Sequence, residues 1–405
     1  MSYQILDVET VLDYVRRRPE VDAFMDRTRE LQATEVGDGN LNLVFKVTER
    51  GRPKRTVLVK QALPHVRVAE DWKLSPVRGR FEALSLDAFH TLAPGSVPRP
   101  LWYDPDQYTI GMENLVGYEV IRRPMIEGRE IPGLGRFVGA VMARVHFGTS
   151  DFGLDSADKK RAVAPYTENT ELCRITEDLI LTEPFHTGQE RNHWVPELDA
   201  DVARLQADDG LKREVAGLKL AFMARAEALL HGDLHSGSIM ADASDIRIID
   251  SEFAFYGPMG FDLGLFVGNL LMNAAAQAAH APSDAARRRY RDYLRGELVD
   301  TMESYESGMR AAFEAVSSPS WSAPGFLDVF LGQVLQDTCG FAGTEMIRRT
   351  IGFAHVQDID AIDDPGARAA VQRQVLAIGR RLIHGHRHVT CLDDILTAAQ
   401  EALEF

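Results

Sequence analysis

Apolar positions follow two rhythms along this chain, and the change from one to the other divides it. Val11, Leu12 and Val15 fall at helical spacing and Pro19 interrupts the run, so the first 36 residues are predicted to be helical. The texture then becomes that of strands. LNLVFKVTE and RTVLVKQAL are β-rich runs separated by the turn-forming RGRPK, which predicts a hairpin. A loop, AEDWKLSP, precedes a helical RGRFEALSLDAFHTL. PRPLWYDPDQYTIGMENL then gives a second strand pair, turned by Asp104, Pro105 and Asp106. The order strand, strand, helix, strand, strand describes a small β-rich lobe over residues 1–115.

Beyond it the 3.6-residue period dominates. GRFVGAVMARVHF, VARLQ, LKREVAGLKLAFMARAEALL and the segments after Pro282 carry apolar faces of helical spacing, predicting a larger, mainly helical lobe over residues 116–405. One stretch departs from that period. Residues 230–256, LHGDLHSGSIMADASDIRIIDSEFAFY, hold two short apolar runs around a polar turn, a β-hairpin with loops on both sides inside a helical lobe. The apolar GLFVGNLLMNAAAQAA is interrupted by Asn269, Asn273 and Gln277, which makes it a buried helix and not a membrane span. The fold class is α+β.

Length supports the division, since 405 residues exceed the roughly 100–200 of one compact domain. With 45% hydrophobic and 26% charged residues the chain is an ordinary globular protein, neither disordered nor fibrous. Its net charge of −15 argues against non-specific nucleic-acid binding while leaving room for a locally basic phosphate site. Cys173, Cys339 and Cys391 are odd in number, far apart and without metal-ligand spacing, as expected of reduced thiols. The start MSYQILDVET shows no basic segment leading into an apolar one, so a soluble cytoplasmic protein is expected, with no membrane partner.

Several residues carry chemistry. In VGDGNLNLVFKV, Gly37 and Gly39 precede a strand, where backbone N–H groups can approach a phosphate or simply open a turn. Lys60 lies inside the apolar VLVKQAL and must either reach solvent or meet an anion, with Glu82 of the next helix a candidate partner. HGDLHSGSIM places Asp233 in a loop between two histidines. Asp250 ends an apolar strand, and Glu252 follows it at a spacing of two. Carboxylates at strand ends are rigidly positioned, and phosphoryl transfer needs one beside the acceptor hydroxyl and others for magnesium. His231 reads as a core histidine bonded to backbone. His235 is nearer the acceptor. Asp262 can accept N–H groups of the loop, cap its own helix, or do both. Adjacent Arg348 and Arg349 either complement a helix C-terminus or face a transferring phosphoryl group, the second reading leaving folding largely untouched. Trp72 either packs on the small lobe or closes over a thioether.

Residues 231–252 resemble the catalytic and metal segments of the aminoglycoside-phosphotransferase-like branch of the protein-kinase-like fold. More narrowly, GDGNLN, VKQALP, HGDLHSGSIM, IIDSEFAFYGPMGFDLG and EMIRRTIGFAHV resemble the methylthioribose kinases, from about Val36 to about Asp358. The resemblance implies a bilobal kinase-like fold, ATP and Mg²⁺ as cofactors, and phosphorylation of 5-methylthioribose at its anomeric hydroxyl in methionine salvage. It also implies a homodimer. It assigns Gly37, Gly39, Asn40, Lys60 and Glu82 to the nucleotide, with Met112, Glu113, Asn114 and Leu115 as the hinge that recognises adenine. Asp233 becomes the catalytic carboxylate, and Asp250 and Glu252 the magnesium ligands. Asn42, Trp72, His235, Arg348 and Arg349 join Asp233 at the sugar. The chain departs from the wider fold at Ser238, where a magnesium-binding Asn is usual. Two rival readings remain: a kinase for another small alcohol (a 5-deoxypentose, an aminoglycoside, choline or homoserine), and a non-catalytic nucleotide-binding module.

Overall fold

A computed structural model describes residues 3–37, 41–67, 69–316 and 319–403. Gly39 and Asn40 lie outside the described residues. The amino-terminal part is built on an antiparallel five-stranded sheet from β1 (Leu31–Glu35), β2 (Asn42–Glu49), β3 (Thr56–Ala62), β6 (Pro100–Asp104) and β7 (Thr109–Glu113), in the order β1-β2-β3-β7-β6. A small hairpin of β4 (His65–Val66) and β5 (Ala69–Lys73) follows β3.

Strand alternation sorts the sheet's two faces. Phe45, Val47, Val57 and Val59 are buried in one apolar cluster with Val11, Tyr14 and Val15 of the Thr10–Arg16 helix. Lys60, one step out of phase with Val59, therefore points to the other face, where helix Arg78–Leu92 presents Glu82. That helix has the predicted bounds. Two other expectations need correction. Helix does not continue to residue 36: it stops at Arg16, a short 3₁₀ turn spans Pro19–Ala23, and Leu31–Glu35 is a strand paired with β2. The expected loop AEDWKLSP contains β5, a two-stranded pairing too short to leave an alternating signature.

The rest is mainly helical, with short β8 (Glu119–Val120), β9 (Ala228–Leu229), β10 (Ile239–Ala241), β11 (Ile246–Ile248) and β12 (Tyr256–Gly257). The expected hairpin is present as β10 and β11, and β8, just past the small sheet, pairs with β10. Helix Gly260–His280 is buried from Gly260 to Gln277. Its polar residues are bonded: Asn273 donates to Asp358 Oδ1 at 2.6 Å and Gln277 to the Met125 carbonyl at 3.2 Å, as burial requires. Gly264 lets helix Phe326–Ile351 lie against it, since a Cβ there would stand 2.8 Å from the Thr338 carbonyl. That close approach brings Arg348 and Arg349 to the hairpin loop. No helix among the described residues is long and apolar enough to cross a membrane.

Candidate active site

The loop between β9 and β10 is held from beneath. Asp262, in the first turn of its helix, accepts the backbone N–H of His231 at 2.7 Å and of Gly232 at 2.9 Å; it is the loop brace and makes no capping bond to its own helix. Gly232 has φ +84°, and a Cβ would lie 2.2 Å from the Phe253 carbonyl, so only glycine fits there. His231 is fully buried; its Nδ1 accepts the Asp233 N–H at 3.2 Å, which leaves Nε2–H to donate to the Ile249 carbonyl at 2.9 Å. Ser238 Oγ lies 2.9 Å from the carbonyls of Asp233 and His235 and accepts the His235 N–H, also at 2.9 Å. Its hydroxyl closes the loop.

A second cluster forms where the sheet meets this loop. Lys60 Nζ donates to Glu82 Oε1 at 2.8 Å and also bonds Asp250. Burial works against the ammonium, yet Asp250 and Glu82 together hold its pKa above the ordinary lysine value. Asp250 has φ +69°, a strained conformation for a non-glycine residue and one that persists where surrounding structure fixes it. Glu82, Asp250 and Glu252 can bring one carboxylate oxygen each within 4.8 Å of one another. Burial pushes the Glu252 carboxyl up to about 7; Lys60 opposes this, and Asp250 and Glu82 add to it. Asn42, expected at the sugar, donates instead to Glu252 Oε2 at 2.8 Å and accepts from Arg78 Nη2 at 2.9 Å.

Asp233 faces a cavity of about 550 Å³ that Asp250 and Glu252 of the acidic cluster also line. Its Oδ1 lies 3.3 Å from Arg348 Nη2 and 3.5 Å from Arg349 Nη2, and its Oδ2 lies 3.2 Å from His235 Nε2. Enclosure disfavours the charged carboxyl, but His235, Arg349 and Arg348 outweigh it and hold the group well below the usual carboxylate range. Glu345, one helical turn back and fully buried, accepts from Arg348 Nε at 2.6 Å and Arg349 Nε at 2.8 Å. The arginines are thus a buried pair aimed at Asp233, not an exposed helix end. Trp72 and Phe353 meet edge to face at 5.7 Å, and Arg191 lies over the Trp72 ring at 5.5 Å, so the β5 hairpin reaches across to the helical part over this cavity.

A carboxylate between paired arginines, beside a lysine–glutamate pair and an acidic cluster, is the equipment of a phosphotransferase. The phosphotransferase enzyme family matches residues 32–304. The chain is 42% identical over 374 residues to the methylthioribose kinase of Pectobacterium atrosepticum, covering 91% of this chain and 92% of that one. It is 42% identical to that of Geobacillus thermodenitrificans, covering 89% and 88%. The chain belongs to the methylthioribose kinase family. Among solved structures it is similar to choline kinase from Cryptosporidium parvum, at 13% identity, 98% and 97% coverage and a TM-score of 0.46.

For a member of the methylthioribose kinase family, the resemblance-based residues fall into three places. Lys60, Glu82, Asp250 and Glu252 meet at the acidic cluster, while Asp233, His235, Arg348, Arg349 and Trp72 line the cavity, whose wall Asp250 and Glu252 share. Met112 and Glu113 end β7, and Asn114 follows, its side chain donating to Thr56 Oγ1 at 3.3 Å; with Leu115 they connect the sheet to β8. Gly37 lies beside open space and accepts from Arg67 through its carbonyl. Sequence reasoning missed Arg78, Arg122 and Glu345. A charged residue in a helical pattern carries no mark of burial, and only folding reveals that each is enclosed.

Proposed function

We propose that this chain transfers the γ-phosphoryl group of ATP to the anomeric hydroxyl of 5-methylthioribose, giving 5-methylthioribose 1-phosphate and ADP in methionine salvage. The observation that carries the reading is Asp233 at the floor of a cavity, with Arg348 and Arg349 on one oxygen and His235 on the other. Residues 1–115 serve as a nucleotide-binding lobe and residues 116–405 as the acceptor lobe, with Met112–Leu115 between them as the adenine hinge.

Asp233 orients the sugar hydroxyl and takes its proton as that oxygen forms a bond to the γ-phosphorus and the bond to the β–γ bridging oxygen breaks. Lys60, held by Glu82, contacts the nucleotide phosphates. Arg348 and Arg349, fixed by Glu345, bear on the charge of the transferring group and pre-orient it for in-line displacement. The acidic cluster fits magnesium: its donors are hard carboxylate oxygens, three of which lie within 4.8 Å of one another. Asp250 and Glu252 would hold the ion, which when bound supplies charge neutralisation at the β- and γ-phosphates. Trp72 and Phe353 offer an apolar edge to a thioether.

Arg122, Arg348 and Arg349 line the cavity along with Asp233, Asp250 and Glu252, and the arginine pair at Asp233 argues against a cationic group beside that carboxylate. The test is an ATP-consumption screen across methylthioribose, 5-deoxyribose, ribose, choline, homoserine and kanamycin, with ³¹P NMR of the product. Methylthioribose should give the highest kcat/KM and an anomeric phosphate. Preference for choline or kanamycin would overturn the substrate assignment.

A further inference from the structure

One half-buried cation near Asp233, Arg122, has so far been given no role beyond lining the cavity. It follows β8 after one residue, Ile121. The Ile121 N–H donates to the Ile239 carbonyl at 3.0 Å, so the ladder that holds the end of the loop also fixes Arg122 against it. Arg122 Nε donates to Ser236 Oγ at 3.1 Å, and its Nη2 lies 2.9 Å from His235 Nδ1. Gly237 permits this approach: a Cβ there would stand 2.9 Å from Arg122 Cζ and 2.7 Å from His235 Cε1.

Hydrogen-bond chemistry then decides the state of His235. Two groups point at Nδ1, the Arg122 guanidinium and, at 2.8 Å, the Gly237 N–H. Both can only donate, so Nδ1 must be an unprotonated acceptor. The single ring proton is left on Nε2, where it faces Asp233 Oδ2 at 3.2 Å. An imidazolium would place an N–H against two donors. The charged groups around the ring are Asp233 on the same loop, Arg122 after β8, and Arg348 and Arg349 on the Phe326–Ile351 helix. Glu345 stands behind that pair, and Asp358 lies 3.8 Å from Arg122 Nε. Cations dominate the near side of the ring. Burial, with Arg122 and Arg349, lowers the imidazole to about 4 despite the opposing charge of Asp233.

We infer that Arg122 is a positioning residue for phosphoryl transfer: by donating to His235 Nδ1 it locks the imidazole as the neutral Nε2–H tautomer and keeps a weak donor, not an imidazolium, against Asp233. A neutral N–H orients the carboxylate and adds no further positive charge to the arginine pair that already holds it low. An imidazolium in the same place would form an ion pair and weaken the base. Sequence spacing hides this device, since Arg122 and His235 are 113 residues apart.

The inference rests on Asp233 being the catalytic carboxylate, so its test has one arm that reads turnover and one that does not. In the first, kcat is followed from pH 7.5 to 5.5. Wild type should change little, whereas Arg122→Met should lose about two-fold or more toward pH 5.5, because with one of the two Nδ1 donors and its charge gone the still-buried imidazole titrates above the wild-type value of about 4, closer to its ordinary value of about 6.5. In Arg122→Met/His235→Asn that acidic limb should vanish. A loss equal at every pH would overturn the inference and leave Arg122 a packing residue. In the second arm, ¹⁵N NMR of histidine-labelled wild-type protein, assigned against His235→Asn, should show His235 as the neutral Nε2–H tautomer at pH 6. A proton on Nδ1, or an imidazolium, would overturn the inference whether or not Arg122→Met folds. The expected NMR result beside an Asp233→Asn variant of normal activity would sink the role of Asp233 alone.

Discussion

The side-chain amide of Asn42 donates to Glu252 Oε2 at 2.8 Å, joining the first residue of β2 to the acidic cluster 210 positions later. Its oxygen accepts from Arg78, whose guanidinium is almost wholly buried and also bonds the carbonyls of Leu41 and Leu63. One amide thus ties the sheet, the Arg78–Leu92 helix and the segment carrying Glu252 into a single polar knot. Asn42→Ala should cost about 1–3 kcal/mol, the range for leaving buried polar groups unpaired. It should also raise the Mg²⁺ concentration needed for half-maximal turnover. Denaturant titration and a metal titration of activity check the two effects, and an unchanged metal requirement would detach Asn42 from the cluster.

Asp233→Asn is expected to keep the shape of its loop while removing the proposed base. Turnover should fall about 10²- to 10⁴-fold while ATP binding, measured by calorimetry, stays near wild type. Retention of more than about a tenth of the rate would remove Asp233 from proton transfer, whose usual contribution is far larger.

Arg348 and Arg349 are expected to act on stability as well as on the proposed transfer. Their burial corrects the expectation that folding is indifferent to them, because each pairs with the fully buried Glu345. Breaking a buried pair costs about 3–5 kcal/mol when it strands a charge. Arg348→Ala and Arg349→Ala should each lower Tm and, per folded molecule, lose about ten- to a hundred-fold in kcat. Glu345→Gln should destabilise the fold too, since it leaves two cations facing one carboxylate. Thermal melts with active-site titration separate the terms; full turnover per folded molecule would make the pair purely structural.

His235 also sets a pH dependence of stability. Burial, opposed by Asp233 and reinforced by Arg122, holds its folded pKa at about 4, below the unfolded value of about 6.5. Between these values the unfolded chain takes up a proton that the folded site refuses, so stability is full above pH 6.5 and declines as pH falls toward 4. Chemical denaturation at pH 7.5, 6 and 5 should show this decline in wild type and a shallower one in His235→Asn. Parallel curves for the two proteins would contradict it.

Local signals in the chain determined much of this molecule. Strand alternation around Val57 and Val59, the helix Arg78–Leu92, and the short runs flanking the turn of β10 and β11 all depend on near neighbours, and each element stands where its pattern puts it. HGDLHSGSIM and the spacing from Asp250 to Glu252 stand out as candidate chemistry because polar and charged residues gather there, on loops between short strands. What tertiary structure alone decided is which charges are enclosed and by whom. Leu31–Glu35 became a strand because β2 offered it a partner, and β5 formed only against β4. Asn42 turned to Glu252 and not the cavity because Arg78 fixes its amide. Arg122, Arg78 and Glu345 look in sequence like any charged helix residues. Their roles arise from contacts at separations of tens to hundreds of residues, where desolvation makes each hydrogen-bond partner count, and no periodic pattern records that.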